Sequence, residues 1–349
     1  MKKSLIALAV LAASGAAMAQ SSVTLFGIVD AGVSYVDNVD AAGSNKYGVH
    51  HSGMQSSRLG FRGVEDLGGG LKAGFWIEGA LTVDDGTAAG FNFKRRSTVG
   101  LTGNFGEVRL GRDLTTGYSK TSSYDLFGQV GMGAFSAWSD WDTTGAGDDN
   151  GIRANNMISY FSPNFSGFKG AVSYAFDEQV GGSKQGRYVG GNVSYDNGPL
   201  SVAVSYDRLN VVSGTAGDKD IFTVGGSYNF GVAKLSGIAQ AQKYSYAAGA
   251  DRKYNNFALG VSAPVGGAGE VKLQYALYDQ KAIDSKAHQL SLGYVHNLSK
   301  RTAVYSTVAY LKNKDLSARG LNASGVNTTT TGVPGKSQTG VQVGVRHAF

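Results

Sequence analysis

Two arginines lie on one face of an extended stretch early in the chain. In "SRLGFRG", Arg58 and Arg62 fall on one side of a β-strand and Leu59 and Phe61 on the other, because side chains alternate along a strand. Guanidinium groups stay charged and bind anions. If the strand has an aqueous side, these arginines can set the electrostatic field along it.

The histidines form no catalytic or metal-binding pattern. The chain has five His and no Cys. His50 and His51 are adjacent, whereas His288 and His296 lie eight residues apart, which is roughly 27 Å along a strand. Acid–base catalysis and zinc binding both need such groups within reach of one another. We therefore expect neither an enzyme nor a bound metal or cofactor.

The elements that carry the arginines are predicted to be β-strands, because apolar and polar residues alternate with a period of two. The alternation is clear at 22–35, 200–208, 288–297 and 302–310, and helical spacing is not convincing anywhere. The 52 glycines and 4 prolines fit a chain with many turns and few helix stops. The sequence therefore predicts an all-β protein.

The connections alternate between short turns and long loops. Short turns, rich in Gly, Asn, Asp and Pro, are predicted at 65–70, 104–106, 162–167, 196–198, 229–231, 263–269 and 297–301. Long loops are predicted at 36–52, 83–92, 115–151, 178–186, 210–219, 247–252, 281–286 and 313–337. Seven turns and eight loops give sixteen antiparallel strands, with both chain ends on the short-turn side.

The N-terminus predicts export. "MKKSLIALAVLAASGAAMAQ" joins two lysines, an apolar run and an Ala17-Met18-Ala19 cleavage site. Residues 1–19 are therefore expected to be a cleaved signal peptide and 20–349 the mature chain. Their removal lowers the formal charge from +6 to +4, which is too mild to predict nucleic-acid binding. No later apolar stretch approaches the ~20 residues of a membrane helix.

A chain without membrane helices can still cross a membrane as a closed barrel. Aromatic residues recur at the predicted strand ends, as in the girdles of outer-membrane barrels. The chain also stops inside an alternating strand, "VQVGVRHAF" at 341–349. All backbone groups in lipid must be paired, so the last strand is expected to meet the first. We predict a sixteen-stranded antiparallel transmembrane β-barrel around an aqueous lumen.

Six segments spread over the mature chain carry a further signal. They are "SSVTLFGIVDAGV" (21–33), "SRLGFRGVEDLGGGLKAGFWIE" (57–78), "RRSTVGLTGNFGEVRLGRD" (95–113), "NMISYFSPNFSGFKGAVSY" (156–174), "NLSKRTAVYSTVAY" (297–310) and the terminal "GVRHAF". Together they resemble the general porins of Gram-negative bacteria, especially the beta-proteobacterial branch.

The resemblance implies a homotrimer in the outer membrane, through which ions and small hydrophilic solutes diffuse passively. It implies short periplasmic turns, long extracellular loops, and a third loop, about 115–151, folded into the lumen as a constriction loop. The expected partners are the lipid bilayer, lipopolysaccharide and the barrel-insertion machinery. In this family that machinery reads the terminal aromatic residue, here Phe349.

The same resemblance implies a basic wall opposite the constriction loop. Charge on the lipid face near mid-membrane costs about 2–4 kcal/mol, so Arg58 and Arg62 are expected to face the lumen. Arg153 matches an arginine of the family and begins the strand after the third loop. For Arg153, a solvated position at the rim is an almost equal alternative.

Arg95 and Arg96 are adjacent, so alternation brings only one of them to the inward face. The family pattern favours Arg95. Simple alternation from Val99 and Leu101, taken as lipid-facing, favours Arg96 instead. Both arginines therefore stay candidates for the basic wall, with Arg95 preferred.

Carboxylates are expected on the loop side of the constriction. Leu126 in "YDLFGQ" stands where the family often has an acid, and Asp125 is its nearest substitute. Asp113 at the loop base, Asp140 and Asp142 are further candidates, although each fits an exposed loop position equally well. With few carboxylates facing it, the arginine wall predicts a weakly anion-selective pore.

A solute-specific channel is the main alternative. Such channels often line the lumen with a row of aromatic side chains, and Trp76, Trp138 and Trp141 could supply one. Packing of Trp138 and Trp141 between the third loop and the barrel wall is the favoured interpretation, because indoles prefer half-buried positions.

Overall fold

The structure, a computed structural model, describes residues 22–86, 92–138, 151–177, 184, 186–210, 216–246, 250–281, 283–322 and 333–349. These residues form seventeen strand segments in one sheet, one short α-helix and one turn of 3-10 helix. Among them, no helix is long and apolar enough to cross a membrane.

The strands follow one another along the whole described chain. The first nine are β1 (Ser22–Val36), β2 (Lys46–His51), β3 (Arg58–Gly68), β4 (Leu71–Ala80), β5 (Arg96–Gly103), β6 (Gly106–Leu114), β7 (Arg153–Phe161), β8 (Phe168–Ala175) and β9 (Tyr188–Asn197). The others are β10 (Leu200–Asn210), β11 (Ala216–Asn229), β12 (Lys234–Tyr246), β13 (Arg252–Val265), β14 (Gly269–Lys281), β15 (Ser285–Asn297), β16 (Thr302–Asp315) and β17 (Gln338–Ala348).

The sheet closes into a barrel where the first strand meets the last. β1 pairs antiparallel with β17, from Ile28↔Ala348 to Val36↔Gly340. The other edge of β1 pairs with β3 in its first half and with β2 in its second half. β2 and β3 therefore act as one barrel strand interrupted at 52–57, and the described residues form the predicted sixteen-stranded antiparallel barrel.

The first long loop is shorter than predicted. Residues 46–51 were expected inside the loop 36–52, but they form β2. "KYGVHH" alternates weakly, and its pairing with β1 places Tyr47 and Val49 outside and His50 inside. A strand this short depends on its neighbour, so its local pattern alone does not reveal it.

Alternation sorts apolar side chains to the outside of the barrel and mainly polar ones to the inside. On β10, Val202, Val204 and Tyr206 are exposed, whereas Ser205 and Asp207 are buried in the interior. The outward apolar surface is the one that lipid covers in a membrane-spanning barrel. Arginines on the inner face therefore border the lumen.

The short connections lie at one end of the barrel, as predicted. They are 69–70, 104–105, 162–167, 198–199, 230–233, 266–268 and 298–301. Gly69 and Gly70, at φ 62° and 82°, join β3 to β4 in a backbone conformation that favours glycine. The strand ends that the longer loops connect lie at the opposite end.

The described part of the third long loop, 115–138, lies inside the barrel. It begins with a short helix, α1 (Thr116–Thr121), and its Met132, Phe135 and Trp138 are almost fully buried. Gln289 of β15 donates hydrogen bonds to the Met132 and Ala134 carbonyl oxygens at 2.9 and 3.3 Å. Inward-facing amides of the wall thus hold the loop backbone in the lumen.

Candidate functional site: the pore constriction

Three arginines from separate strands border one cavity in the lumen. Arg58 begins β3, Arg95 directly precedes β5, and Arg153 begins β7. All three line a cavity of about 570 Å3, together with Tyr118 and Asp125 of the third loop. The structure thus brings these three predicted arginines together opposite the loop. Arg153 Nε donates to the Arg95 carbonyl oxygen at 2.9 Å, which links two of them.

Glu78 of β4 belongs to this site, although it is not among the residues predicted from the sequence. Its Oε1 lies 2.6 Å from Arg95 Nε and 3.5 Å from Arg58 Nη1. Its Oε2 accepts a hydrogen bond from Trp76 Nε1 at 3.1 Å. Only 8% of the Glu78 side chain is exposed, so the carboxylate is enclosed by its partners. Glu78 orients two arginines and offsets part of their charge.

Arg95 and Arg96 both make contacts on the inner side of the wall. Arg96 is the first residue of β5 and follows its alternation, so its Nε reaches Thr98 Oγ1 at 3.0 Å. Arg95 precedes the regular strand, and its side chain reaches Glu78 instead. The premise that only one of the two can turn inward is therefore wrong, because strand alternation does not govern Arg95.

Arg62 and Arg96 form a second, neighbouring group around Trp76. The Arg62 and Arg96 guanidinium carbons lie 5.1 and 4.5 Å from the centre of the Trp76 ring. Cation–π contacts of this kind hold guanidinium groups flat against an aromatic face. Trp76 therefore contacts arginines on the wall.

Asp113 and Asp125 occupy different surroundings. Asp113, in β6, lies 2.5 Å from Arg109 Nη1 and 3.4 Å from Arg96 Nε, so it belongs with the second arginine group. Asp125 lies on the third loop, as predicted for an acid on the loop side, and is 4% exposed. Asp140 lies outside the described residues, as do Asp142 and Trp141.

The Asp125 carboxylate holds the third loop in shape. It accepts hydrogen bonds from Gln274 Nε2 at 2.7 Å and from the Gln129 backbone N–H at 2.6 Å. Burial raises the pKa of the Asp125 carboxyl above its ordinary value, although these donors oppose the rise. Buried and saturated with donors, this carboxylate offers little free negative charge to the pore.

Basic side chains dominate the lining of the cavity. It includes five basic residues, Arg58, Arg95, Arg153, Lys234 and Lys272, and two acidic ones, Asp125 and Glu270. Burial raises the pKa of the Tyr118 hydroxyl to about 12, so this neighbour of Arg153 is neutral at pH 7. The local field is therefore positive, and it attracts anions.

Trp138 packs and does not form part of an aromatic row along the pore. It is 2% exposed, and its ring meets those of Tyr118 and Phe135 edge-on at 5.2 and 5.9 Å. This geometry is typical of aromatic packing inside a protein. The indole fixes the third loop against the wall.

A buried polar cluster fixes the segment 52–57 that leads to Arg58. Asp30 of β1 accepts the backbone N–H groups of Gly53, Met54 and Gln55 at 2.7–3.2 Å. His50 bridges this cluster, with Nε2 2.9 Å from the Tyr305 hydroxyl.

Among the described residues, no group of three His, Cys, Asp or Glu could hold a metal ion.

Comparison with known proteins shows which family this barrel belongs to. A profile of the Gram-negative porins matches residues 5–316. The chain belongs to the Gram-negative porin family. This porin resides in the outer membrane, where its barrel lets ions and small hydrophilic solutes pass through a water-filled pore.

Two of the relatives match the porin over its full length. Outer membrane porin protein 32 of Delftia acidovorans is 64% identical over 100% of both chains. An outer membrane porin protein of Bordetella pertussis is 33% identical over 100% of both chains. A solved structure described as an anion-selective porin from Comamonas acidovorans is 62% identical, with a TM-score of 0.90, and covers 95% of this chain and 100% of that one.

Proposed function

We propose that this porin is a general diffusion pore with a weak preference for anions, set by Arg58, Arg95 and Arg153. The observation that carries the proposal is the cavity lining, with five basic and two acidic side chains. Arg62 and Arg96 extend the basic wall, and Asp113 partly balances Arg96. The similar structure described as an anion-selective porin supports the same sign of selectivity.

The test is the reversal potential of the mature protein in a planar bilayer under a salt gradient. Wild type is expected to favour anions. Arg58→Ala is expected to lower the anion-to-cation permeability ratio about two- to fivefold at low salt, with less effect at 1 M salt because of screening. Arg301→Ala, an exposed residue of a short turn, is the matched control. A wild-type preference for cations would overturn the proposal.

We propose that the functional unit is a homotrimer, as the family resemblance implies. Small residues on the outward face of β1, such as Ala31, suit close contact between flat subunit walls. Single-channel steps arriving in groups of three are expected, together with a trimeric mass in detergent by light scattering. Monomeric particles that conduct in single steps would contradict this assembly.

We propose that export removes residues 1–19 and that the barrel-insertion machinery reads Phe349. The A-x-A signature supports the cleavage site. N-terminal sequencing of protein from outer membranes is expected to begin at Gln20. Phe349→Ser is expected to slow insertion into vesicles that contain the machinery more than into vesicles without it. Equal slowing in both would indicate a folding defect alone.

A further inference from the structure

Two aromatic rings and one arginine meet on the inner wall of the barrel. We define the aromatic corner as Phe26 of β1, Arg62 of β3 and Trp76 of β4. The centres of the two rings lie 4.9 Å apart, with the ring planes at 62°. The Arg62 guanidinium carbon lies 5.3 Å from the centre of the Phe26 ring and 5.1 Å from that of the Trp76 ring. Three neighbouring strands therefore support one guanidinium group.

The aromatic corner lies on the short-turn side of the constriction. Arg62 follows Arg58 by four residues on β3, which is about 13 Å along the strand. Phe61 and Gly63 take the outward direction, so Arg62 faces the lumen. Neither Arg62 nor Trp76 lines the cavity between the three arginines and the third loop. A solute that crosses the pore therefore meets the corner as a separate position.

A glycine makes room for the corner. Gly60 is the strand partner of Phe26, and a Cβ at position 60 would come within 2.4 Å of Phe26 Cζ. Because position 60 has no side chain, the Phe26 ring can lie across the wall toward Trp76. Both rings are partly exposed. Their surfaces are therefore open to a solute in the lumen.

The Arg62 guanidinium has unused hydrogen-bond donors. Its side chain is exposed, and within the described residues it forms no ion pair and no hydrogen bond. Arg58 and Arg95, by contrast, share the Glu78 carboxylate. Thr24 of β1 lies directly opposite Arg62, is exposed, and makes no side-chain hydrogen bond in the same part of the chain. A guanidinium fork beside a hydroxyl suits a carboxylate ligand.

We propose that the aromatic corner binds planar aromatic carboxylates as they cross the pore. A carboxylate held by two parallel hydrogen bonds lies in the plane of the guanidinium. A benzoate ring extends this plane along the aromatic surface that supports Arg62, whereas a saturated ring is puckered and makes poorer contact with it. The inference rests on the anion permeation proposed above, and it adds a preference among anions of equal charge.

The test compares potassium benzoate with potassium cyclohexanecarboxylate as blockers of the ionic current through single channels of the mature porin. The two probes carry the same charge and have similar sizes. Each is added to both sides of a planar bilayer in dilute KCl, and its half-blocking concentration is measured. Contacts between aromatic rings are expected to make this concentration about two- to tenfold lower for benzoate in wild type.

The readout is the ratio of the two half-blocking concentrations. Because both probes are monovalent anions, the general preference of the pore for anions cancels in this ratio. The ratio therefore tests the corner, whereas the reversal potential in KCl tests the proposed selectivity. Either result can fail without the other.

Two variants separate the parts of the corner. Arg62→Lys keeps a positive charge but replaces the planar fork with a point charge, so the ratio is expected to fall to about one. Phe26→Leu removes a ring and no polar group, and it is expected to lower the ratio about twofold. Arg301→Lys, in an exposed short turn, is the matched control and is expected to keep the wild-type ratio.

Two results would overturn the proposal. Equal half-blocking concentrations of the two probes in wild type would show that the corner recognises no aromatic ring. A wild-type ratio in both Arg62→Lys and Phe26→Leu would show that another part of the pore discriminates between the probes. If one of these variants does not form channels, a wild-type ratio in the other is sufficient to reject the proposal.

Discussion

At the scale of single residues, Glu78 offsets part of the positive charge of the basic wall. It is shared between Arg58 and Arg95, and Trp76 holds its second oxygen. Removal of one partner from an enclosed charge group leaves the others uncompensated. We therefore expect the selectivity of the pore to depend on a balance between Glu78 and its arginines, and not on the arginines alone.

Glu78→Gln is expected to raise the preference for anions. The amide keeps the shape of the side chain but removes the charge that offsets Arg58 and Arg95. The anion-to-cation permeability ratio is expected to rise about two- to fivefold at low salt and little at 1 M salt. Glu65→Gln, at the exposed short-turn end of β3, is the control. A reversal potential unchanged at low salt would show that Glu78 does not act on permeating ions.

Alternation predicted the inward direction of Arg58 and Arg62, whereas Arg95 and Arg153 became candidates through the family resemblance. Glu78 was within reach of the alternation argument. In "GFWIEGA", Phe75 and Ile77 face lipid, so Trp76 and Glu78 must face the lumen. Arg95 was a different case. Its direction depends on β5 beginning one residue later, and strand ends are the least predictable feature of a sequence.

At the scale of elements, the third loop is held against the inner wall of the barrel at its first helix, α1. Gly117 of α1 lies against Asp207 of β10, and a Cβ on Gly117 would come within 1.8 Å of Asp207 Oδ2. The Tyr188 hydroxyl donates to the other oxygen of Asp207 at 2.5 Å. A side chain at position 117 therefore requires the Asp207 carboxylate or the helix to move.

Gly117→Ala is expected to displace α1 from the wall. Overpacking of a closely fitted contact costs about 1–3 kcal/mol, and the third loop should then sample other positions. Open-channel current noise is expected to rise, and protease cleavage within 115–138 is expected to become faster. Ser119→Ala, on the exposed side of the same helix, is expected to change neither. A quiet channel in Gly117→Ala would mean that α1 does not hold the loop.

The length of the third loop indicated that it has a function, and the family resemblance predicted its place in the lumen. Neither predicted how the loop is attached to the wall. A long loop without regular structure needs a function. The attachment uses Gln274, Gln289 and Gln342, which are far away in sequence. Their meeting with the loop depends on the register of β14, β15 and β17. No local sequence pattern encodes that register. For the same reason, the sequence did not reveal that Asp125 is a buried hydrogen-bond acceptor.

At the scale of the whole molecule, the barrel depends on its closing seam. The Gly27 N–H donates to the Phe349 carbonyl oxygen at 3.0 Å, and the Phe349 N–H donates to the Gly27 carbonyl oxygen at 3.1 Å. The next residue of β1, Ile28, is the strand partner of Arg58 in β3. The β1 partner of Phe349, Gly27, is therefore adjacent in sequence to the β1 partner of Arg58.

Deletion of Phe349 is expected to destabilise the barrel more than Phe349→Ala does. The alanine variant loses the ring that lies over Gly27 but keeps both backbone hydrogen bonds. The deletion also loses those bonds, each worth about 0.5–1.5 kcal/mol, and places a carboxylate at Ala348. In urea unfolding from lipid vesicles, followed by tryptophan fluorescence, the deletion should lower the free energy of unfolding by about 1–3 kcal/mol beyond the alanine variant. Equal losses in both variants would mean that the ring alone secures the seam. In that case closure of the barrel would depend on packing against Gly27 and not on the pairing of the last peptide group.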